Sequence, residues 1–519
     1  DAYPDTDPWD IINRNTILTS HSMGISGGAD KIKYYGSIGY LYEAGLFAAT
    51  DQNRYNMSLN IDVEATKTTN VSLSFNGRQQ TNKYPYNTTE RIFQTISNAQ
   101  PLWNQTYSNG LIGGLLGGFI YNDGYRRTNT SQIFSQLSID QKIPFIEGLS
   151  AKGTIAYDPT TSLYKRWATP IDVWAINTKT TPYTYTKGNL EQPKSALMQS
   201  TDNNFQLTSQ FSLNYNRSFG KSNISALTLF ESTARDFSSF GANRNNFNLD
   251  LDELDMGSSS QADISNFGSS GKARQVGFVY RIAYDYLSKY MIEASGRYDG
   301  SYYFAPGKRF GFFPSVALGW RVSEEKFIKD KIDWLDNLKI RGSYGEVGAL
   351  AGSPFQYLSS YGVNGPAYKL NGQAVQSVSE RAESNPNITW ERAKKTNVGL
   401  EAAFLNGLIN LEVDYFYERR ANMLANPDVT VPVEYGVGLS QVNAGIMENK
   451  GIDMTLGTNY AVSKDLAFSI TGNFTYAKNA LLQVFETPTT FNNPNRRLTG
   501  RPLGSQFGYE SLGFFQLND

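Results

Sequence analysis

The sequence predicts an all-β fold of the membrane-spanning kind, a transmembrane antiparallel β-barrel, and three observations carry that expectation. Long segments alternate strictly between apolar and polar residues. The connections between them alternate between short and long. No run approaches the ~18 consecutive apolar residues that a membrane helix requires.

The alternation is clearest in Tyr55–Glu64, where Tyr55, Met57, Leu59, Ile61 and Val63 interleave with Asn56, Ser58, Asn60, Asp62 and Glu64. A strand turns successive side chains to opposite faces, so this ribbon has one apolar and one polar side. The next ribbon sets Val71, Leu73 and Phe75 against Ser72, Ser74 and Asn76. Later, Phe211, Leu213 and Tyr215 oppose Gln210, Ser212 and Asn214. Val413 shares a face with Leu411 and Tyr415, against Glu412 and Asp414, and Phe468 and Ile470 oppose Ser469 and Thr471. Such ribbons often reach about 11 residues, longer than the usual strand of about 5–6 and long enough for a tilted bilayer crossing. Tyrosines and phenylalanines gather near their ends, as at Tyr286, Tyr290 and Phe310, where rings suit a membrane interface.

Short connections are expected at 27–31, 65–70, 144–149, 218–222, 287–289 and 405–407, and long ones at 83–130, 160–203, 236–272, 348–387, 425–441 and 481–503. Outer-membrane barrels pair short periplasmic turns with long external loops, and on that basis the chain counts to roughly 17 strands, the last over residues 505–517. A sheet of this kind with open edges is not stable in lipid. Residues 1–519 are therefore expected to be one partial barrel domain.

Composition narrows the function. The 519 residues carry a formal net charge of −1, which leaves no basic surplus for nucleic acid. There is no cysteine, and His21 is the single histidine, so thiolate and histidine metal sites are not expected. The mean hydropathy of −0.43 suits a membrane barrel, because only alternate strand residues meet lipid. The start, DAYPDTDPWD, is acidic and polar and does not read as a signal peptide.

Several segments resemble one family in order and spacing. Residues 385–399 read NPNITWERAKKTNVG and residues 443–453 read NAGIMENKGID. FPSVALGW (313–320), RVSEEKF (321–327) and LDNLKIRGSYG (335–345) lie between the ends, marked by SGGADKIKYYGSIGY (26–40) and GSQFGYESLGFF (504–515). In this set the chain resembles the SusC-like (SusC/RagA) TonB-dependent outer-membrane transporters. The resemblance implies a barrel of about 22 strands around an N-terminal plug, of which this chain would hold the second to eighteenth strands, without plug or final strands. It also implies energised import of nutrient oligomers, glycans or peptides, with a SusD-like surface lipoprotein and with the TonB complex acting through parts not in this chain. A passive porin-like channel and a structural or adhesive surface protein are the alternatives. An upstream plug separates the first of these from an importer.

No catalytic constellation is expected: the carboxylates are plentiful but nothing pairs two as acid and base. No enzyme activity and no cofactor are implied. LIGGLLGGF (111–119) is not a phosphate loop, since no Lys-Ser/Thr pair follows. It reads as a flexible external loop or as an apolar surface that packs on a lid. Asp250, Asp252, Glu253 and Asp255 read as a solvated loop or as oxygen ligands for Ca2+. Sequons such as those at Asn87 and Asn129 follow from polar composition. The candidate residues for cargo or lid contact are Trp103, Tyr107, Leu111, Leu115, Leu116, Phe119, Tyr121, Tyr125, Trp174, Tyr183 and Tyr185, on the two longest early loops. Their rings suit sugar faces or apolar side chains, and equally suit packing within the loops themselves.

Overall fold

A computed structural model describes residues 5–12, 15–121, 123–190, 194–427, 429, 431–511 and 513. The chain divides into two compact units, one formed by residues 1–142, 152–210 and 233–273 and the other by 143–151, 211–232 and 274–519.

The first unit opens with four strands joined by short links: β1 (Leu18–Ala29), β2 (Ile32–Ala44), β3 (Asp51–Thr66) and β4 (Thr69–Tyr84). Then come β5 (Gly124–Lys142), β6 (Leu149–Ala168), the hairpin β7 (Ile171–Asn177) and β8 (Thr184–Leu190), and the long strands β9 (Ser195–Phe219), β10 (Ser222–Phe247) and β11 (Ile264–Tyr286), which continue into the second unit. The second unit adds β12 (Tyr290–Ser301), β13 (Phe310–Arg321), β14 (Leu335–Ala349), a hairpin β15 (Tyr361–Leu370) and β16 (Gln373–Glu380), then β17 (Glu391–Phe404), β18 (Ile409–Ala425), β19 (Val442–Ala461) and β20 (Ala467–Gln483). Among the described residues sixteen strands share one sheet in the order β1-β2-β3-β4-β5-β6-β9-β10-β11-β12-β13-β14-β17-β18-β19-β20. The remaining four form the two hairpins.

The register keeps each ribbon's two faces separate. Leu59 pairs with Phe75 across β3 and β4, while Asn60 pairs with Ser74. On the polar face the Ser74 hydroxyl donates to Asn60 Oδ1 at 2.7 Å and Ser72 donates to Asp62, so the ladder satisfies itself laterally. The apolar face is open. Of Tyr55, Leu59, Val71, Phe75, Phe211, Leu213, Val413 and Phe468, none is buried, and Phe468 is 54% exposed. Hydrophobic side chains held open along a whole face are the arrangement for a solvent of hydrocarbon.

Two expectations need correction. Residues 505–511 and 513 form no strand, and 512 and 514–517 lie outside the described residues, so among the described residues the sheet has sixteen strands, against the roughly 17 expected. Several long connections are also shorter than expected. Residues 236–247 and 264–272 belong to β10 and β11, which run 26 and 23 residues. Their outer halves, such as SSFGANRNN, carry only scattered apolar residues, Phe240 and Ala242 in this stretch, and leave no alternation to read. The 160–203 and 348–387 connections each carry a hairpin of their own.

The short-turn end of the second unit has a compact charged contact. Glu325 follows β13 and is half-buried. Its carboxylate accepts from Lys289 Nζ at 2.6 Å, from the Tyr290 hydroxyl at 2.6 Å and from Trp320 Nε1 at 3.0 Å. The Lys289 bond first, then the Tyr290 bond, pulls its pKa from 4.5 down to about 2, against the opposing effect of burial. A carboxyl depressed in the folded state adds stability that is present above its unfolded pKa and is lost as pH falls through the folded one. Stability should therefore fall between about pH 4.5 and about pH 2. Glu325→Gln should flatten that part of the curve when denaturant unfolding in vesicles is followed across this range. An unchanged acid limb in the variant would remove Glu325 from the account.

Candidate functional site

The connection between β4 and β5 folds into a platform rather than a loose loop. Helix α1 (Thr89–Asn98) begins at Thr88, whose hydroxyl accepts from the Arg91 amide at 3.2 Å. Ile92 and Ile96, one turn apart, are buried. A second helix, α2 (Leu115–Tyr121), follows. Leu116, Phe119 and Ile120 from α2 join Ile92, Ile96, Phe47 and Ile171 of β7 in one core, with Leu116 and Phe119 at 0% exposure. The glycines of this segment make the packing possible by close approach. A Cβ at Gly118 would stand 2.3 Å from Ile171 Cγ2, and one at Gly117 2.5 Å from the Gln105 carbonyl.

The entry to the platform is pinned by Asp123, which is buried. Its carboxylate accepts from the Tyr86 amide at 3.1 Å, the Asn87 amide at 2.8 Å and Asn87 Nδ2 at 3.1 Å. Burial raises its pKa to about 6, with the Asn87 and Tyr86 bonds opposing that rise. Arg126 completes the corner by donating to the Pro85 and Asn87 carbonyls, each at 2.9 Å.

The candidate residues divide sharply on this platform. Leu116, Phe119 and Tyr107 are buried, so they are withdrawn as contact residues. Their apolar area is satisfied by their own neighbours: the core above, and for Tyr107 the ring of Tyr185 at 5.1 Å, edge to face. Leu111, Leu115, Tyr125, Trp174 and Tyr185 are half-buried, and the side chain of Tyr121 lies outside the described residues. The Trp174 amide donates to the Ile112 carbonyl at 2.8 Å, which stitches the β7–β8 hairpin to the 101–113 segment. Trp103, at 54%, and Tyr183, at 47%, stand exposed, beside Leu102 at 68%. Residues 111–119 are accordingly not a loose loop: 111–114 lead into α2, whose first residues pack into the core.

The acidic group on the connection between β10 and β11 is tied into its surroundings. Asp252 receives Lys165 Nζ at 2.8 Å and the Tyr125 hydroxyl, and Asp250 accepts from Ser195 at 2.9 Å. Burial acts to raise the Asp252 pKa, but the Lys165 and Tyr125 bonds outweigh it and the net shift is downward. Among the described residues no group of three or more His, Cys, Asp or Glu side chains is placed to hold a metal ion.

The second unit contains a polar-face network that the sequence reading did not single out. Arg341 of β14 donates through Nε to Glu401 at 2.8 Å and through Nη2 to Asp414 at 2.7 Å and Glu412 at 2.8 Å. Lys339 reaches Glu401 at 3.1 Å. Gly399 leaves room for the guanidinium, since a Cβ there would stand 2.6 Å from Arg341 Cζ. Of this network Lys339 and Arg341 border a pocket of about 680 Å3, lined also by Arg217, Asn223, Arg281 and Glu293. The available signal was the pair Lys339 and Arg341 on the polar positions of an alternating strand. At the other end of the unit the motifs at 385–399 and 443–453 meet. Asn443 Nδ2 donates to the Thr389 and Asn422 carbonyls at 2.9 and 2.8 Å, and its Oδ1 accepts from the Thr389 amide at 2.9 Å. Ile388 and Trp390 sit beside them in a core with Phe304 and Phe313.

Residues 140–517 match the family model described as TonB dependent receptor-like, beta-barrel. The chain belongs to this family. TonB-dependent receptor-like barrels are outer-membrane proteins, so the open apolar face meets lipid and the polar face lines the lumen. Among curated relatives, the chain is 24% identical to a TonB-dependent receptor of Formosa agariphila, over 99% of this chain and 47% of that protein. It is 24% identical to the TonB-dependent receptor SusC of Bacteroides thetaiotaomicron, over 92% of this chain and 48% of that protein. The chain thus spans about half the length of these relatives. Among solved structures, the RagAB peptide importer in its closed-closed state superposes with a TM-score of 0.82 at 19% identity, over 96% of this chain and 55% of that one. At that identity the likeness concerns the fold.

Proposed function

We propose that this chain forms barrel wall and external platform of an energised importer of nutrient oligomers, glycans or peptides, which works with a SusD-like surface lipoprotein and draws on TonB through the remainder of the protein. The observation that carries this reading is the whole-chain likeness to TonB-dependent receptors, SusC among them, and in fold to the RagAB peptide importer. The platform supports it physically. The core packs α1, α2 and the start of β7 together. Trp103 and Tyr183, on the segments that follow α1 and β7, stand exposed, and rings on an ordered surface lose little entropy when they are covered. These two rings, with Leu102, are the proposed contact residues for lid or cargo.

The test uses the full-length transporter, tagged and isolated from outer membranes. Lipoprotein should co-purify, and Trp103→Ala should weaken the pair by about 2 kcal/mol or more, about thirtyfold in Kd, as a central interface ring does. Uptake of oligomers should stop when the energising complex is deleted. Uptake that persists without that complex would mean a passive channel. Loss of surface attachment with normal uptake would favour an adhesive role.

A further inference from the structure

The lipid face of the first unit is not uniform. Register aligns Met23, Ile38, Met57, Gly77 and Ile133 in one row across β1 to β5. Gly77 interrupts this apolar row, and a Cβ built there would meet only the Phe75 ring, at 3.5 Å. The gap belongs to a groove of about 790 Å3, within the range of about 300–1,000 Å3 typical of small-molecule sites. The next row toward the long connections is different in kind: His21, Tyr40, Tyr55, Gln79 and Ser131 lie side by side. All five border the groove. The Tyr40 and Tyr55 rings are 5.1 Å apart, and Ser131 donates to Gln79.

We infer that this groove is a binding site for one outer-leaflet glycolipid, with an acyl chain laid over Gly77 and a sugar held at the row of His21, Tyr40, Tyr55, Gln79 and Ser131. The occupant follows from position and chemistry. The face meets lipid because the chain is an outer-membrane protein. The polar row lies at the end that carries the long connections, which is the external end, so it sits at headgroup depth in the outer leaflet. Met23, at 72%, and Ile38, at 60%, leave apolar walls open to a chain. The row offers rings, an amide, a hydroxyl and an imidazole; Arg78, the cation that borders the groove, takes the alternate position of β4 and belongs to the polar face. That set suits sugar hydroxyls and sugar faces better than a phosphate, which calls for cations. Tyr55, 57% exposed, is placed to cover a sugar ring.

The experiment isolates the full-length transporter from its own outer membrane, exchanges detergent exhaustively and quantifies retained lipid per barrel by mass spectrometry. Gly77→Leu fills the groove with a side chain that suits lipid, and should lower retained glycolipid about tenfold, about 1.4 kcal/mol, without changing phospholipid. Tyr55→Ala, which leaves the apolar row intact, should lower the glycolipid-to-phospholipid ratio and serves if Gly77→Leu does not insert. Ser58→Ala, on the polar face of the same strand, should retain wild-type lipid. Unchanged glycolipid in both variants, or equal loss of glycolipid and phospholipid, would overturn the site. A Gly77→Leu protein with an altered oligomeric state and unaltered lipid would assign the groove to a second copy of the chain instead. None of these readouts depends on transport.

Discussion

Phe119→Ala should destabilise the external platform by about 3–5 kcal/mol, the range for emptying a large ring from a packed core. The expectation rests on a ring at 0% exposure that sits among Ile92, Leu116 and Ile171, with the Arg91 guanidinium 5.8 Å from its centroid. Collapse around the gap is restricted, because Gly117 and Gly118 already bring the helix to its nearest approach to Gln105 and Ile171. Most domains have only about 5–15 kcal/mol in total, so a local unit of this size should open. Hydrogen exchange over residues 89–121 should rise in the variant, while the strands keep wild-type protection. Wild-type protection of α1 would show that the core as described does not hold the platform. Deleting residues 111–119 removes the same core, so it tests folding and not lid contact; Trp103→Ala separates the two.

Leu59→Arg should cost about 2–4 kcal/mol of barrel stability, the range for a cation at mid-depth on a lipid face. Leu59 lies between Tyr55, at the external interface, and the turn that follows Thr66, so it falls near the middle of the crossing. Ser58→Arg, one residue away, points the same charge into the lumen and should change stability far less. Urea titration of the full-length protein refolded into vesicles measures both. Equal losses at the two positions would mean that the sheet does not separate lipid from lumen as its register requires.

Alternation made the crossing strands legible, because a lipid face and a wet face impose opposite preferences on neighbouring residues. Tyr55–Glu64 and Val71–Asn76 fell into register as their pattern required. That signal ends where lipid ends. The outer halves of β10 and β11 carry only scattered apolar residues such as Phe240 and Phe267 among Ser238, Ser239 and Asn245, which show no period, so the sequence reads there as loop. The platform was legible in content but not in form. The apolar residues of 111–119 were visible, and whether they faced a partner or one another depended on Ile92, Ile96 and Ile171, which lie far away in sequence. Arg341 and its carboxylates were likewise scattered over three strands, and only the registers of β14, β17 and β18 bring them together.

Asn443 bonds to main-chain atoms of Thr389 and Asn422, and Asn385 bonds to the main-chain carbonyl of Gln441 at 2.8 Å. An amide that grips only backbone is indifferent to which side chains its neighbours carry. These bonds would survive a change of side chains within residues 351–384, whereas the contacts of Phe355 with the Tyr302 ring and of Gln356 with Gln441 would not. Chimeras that exchange residues 351–384 and 426–440 have natural splice points at Asn385 and Gln441.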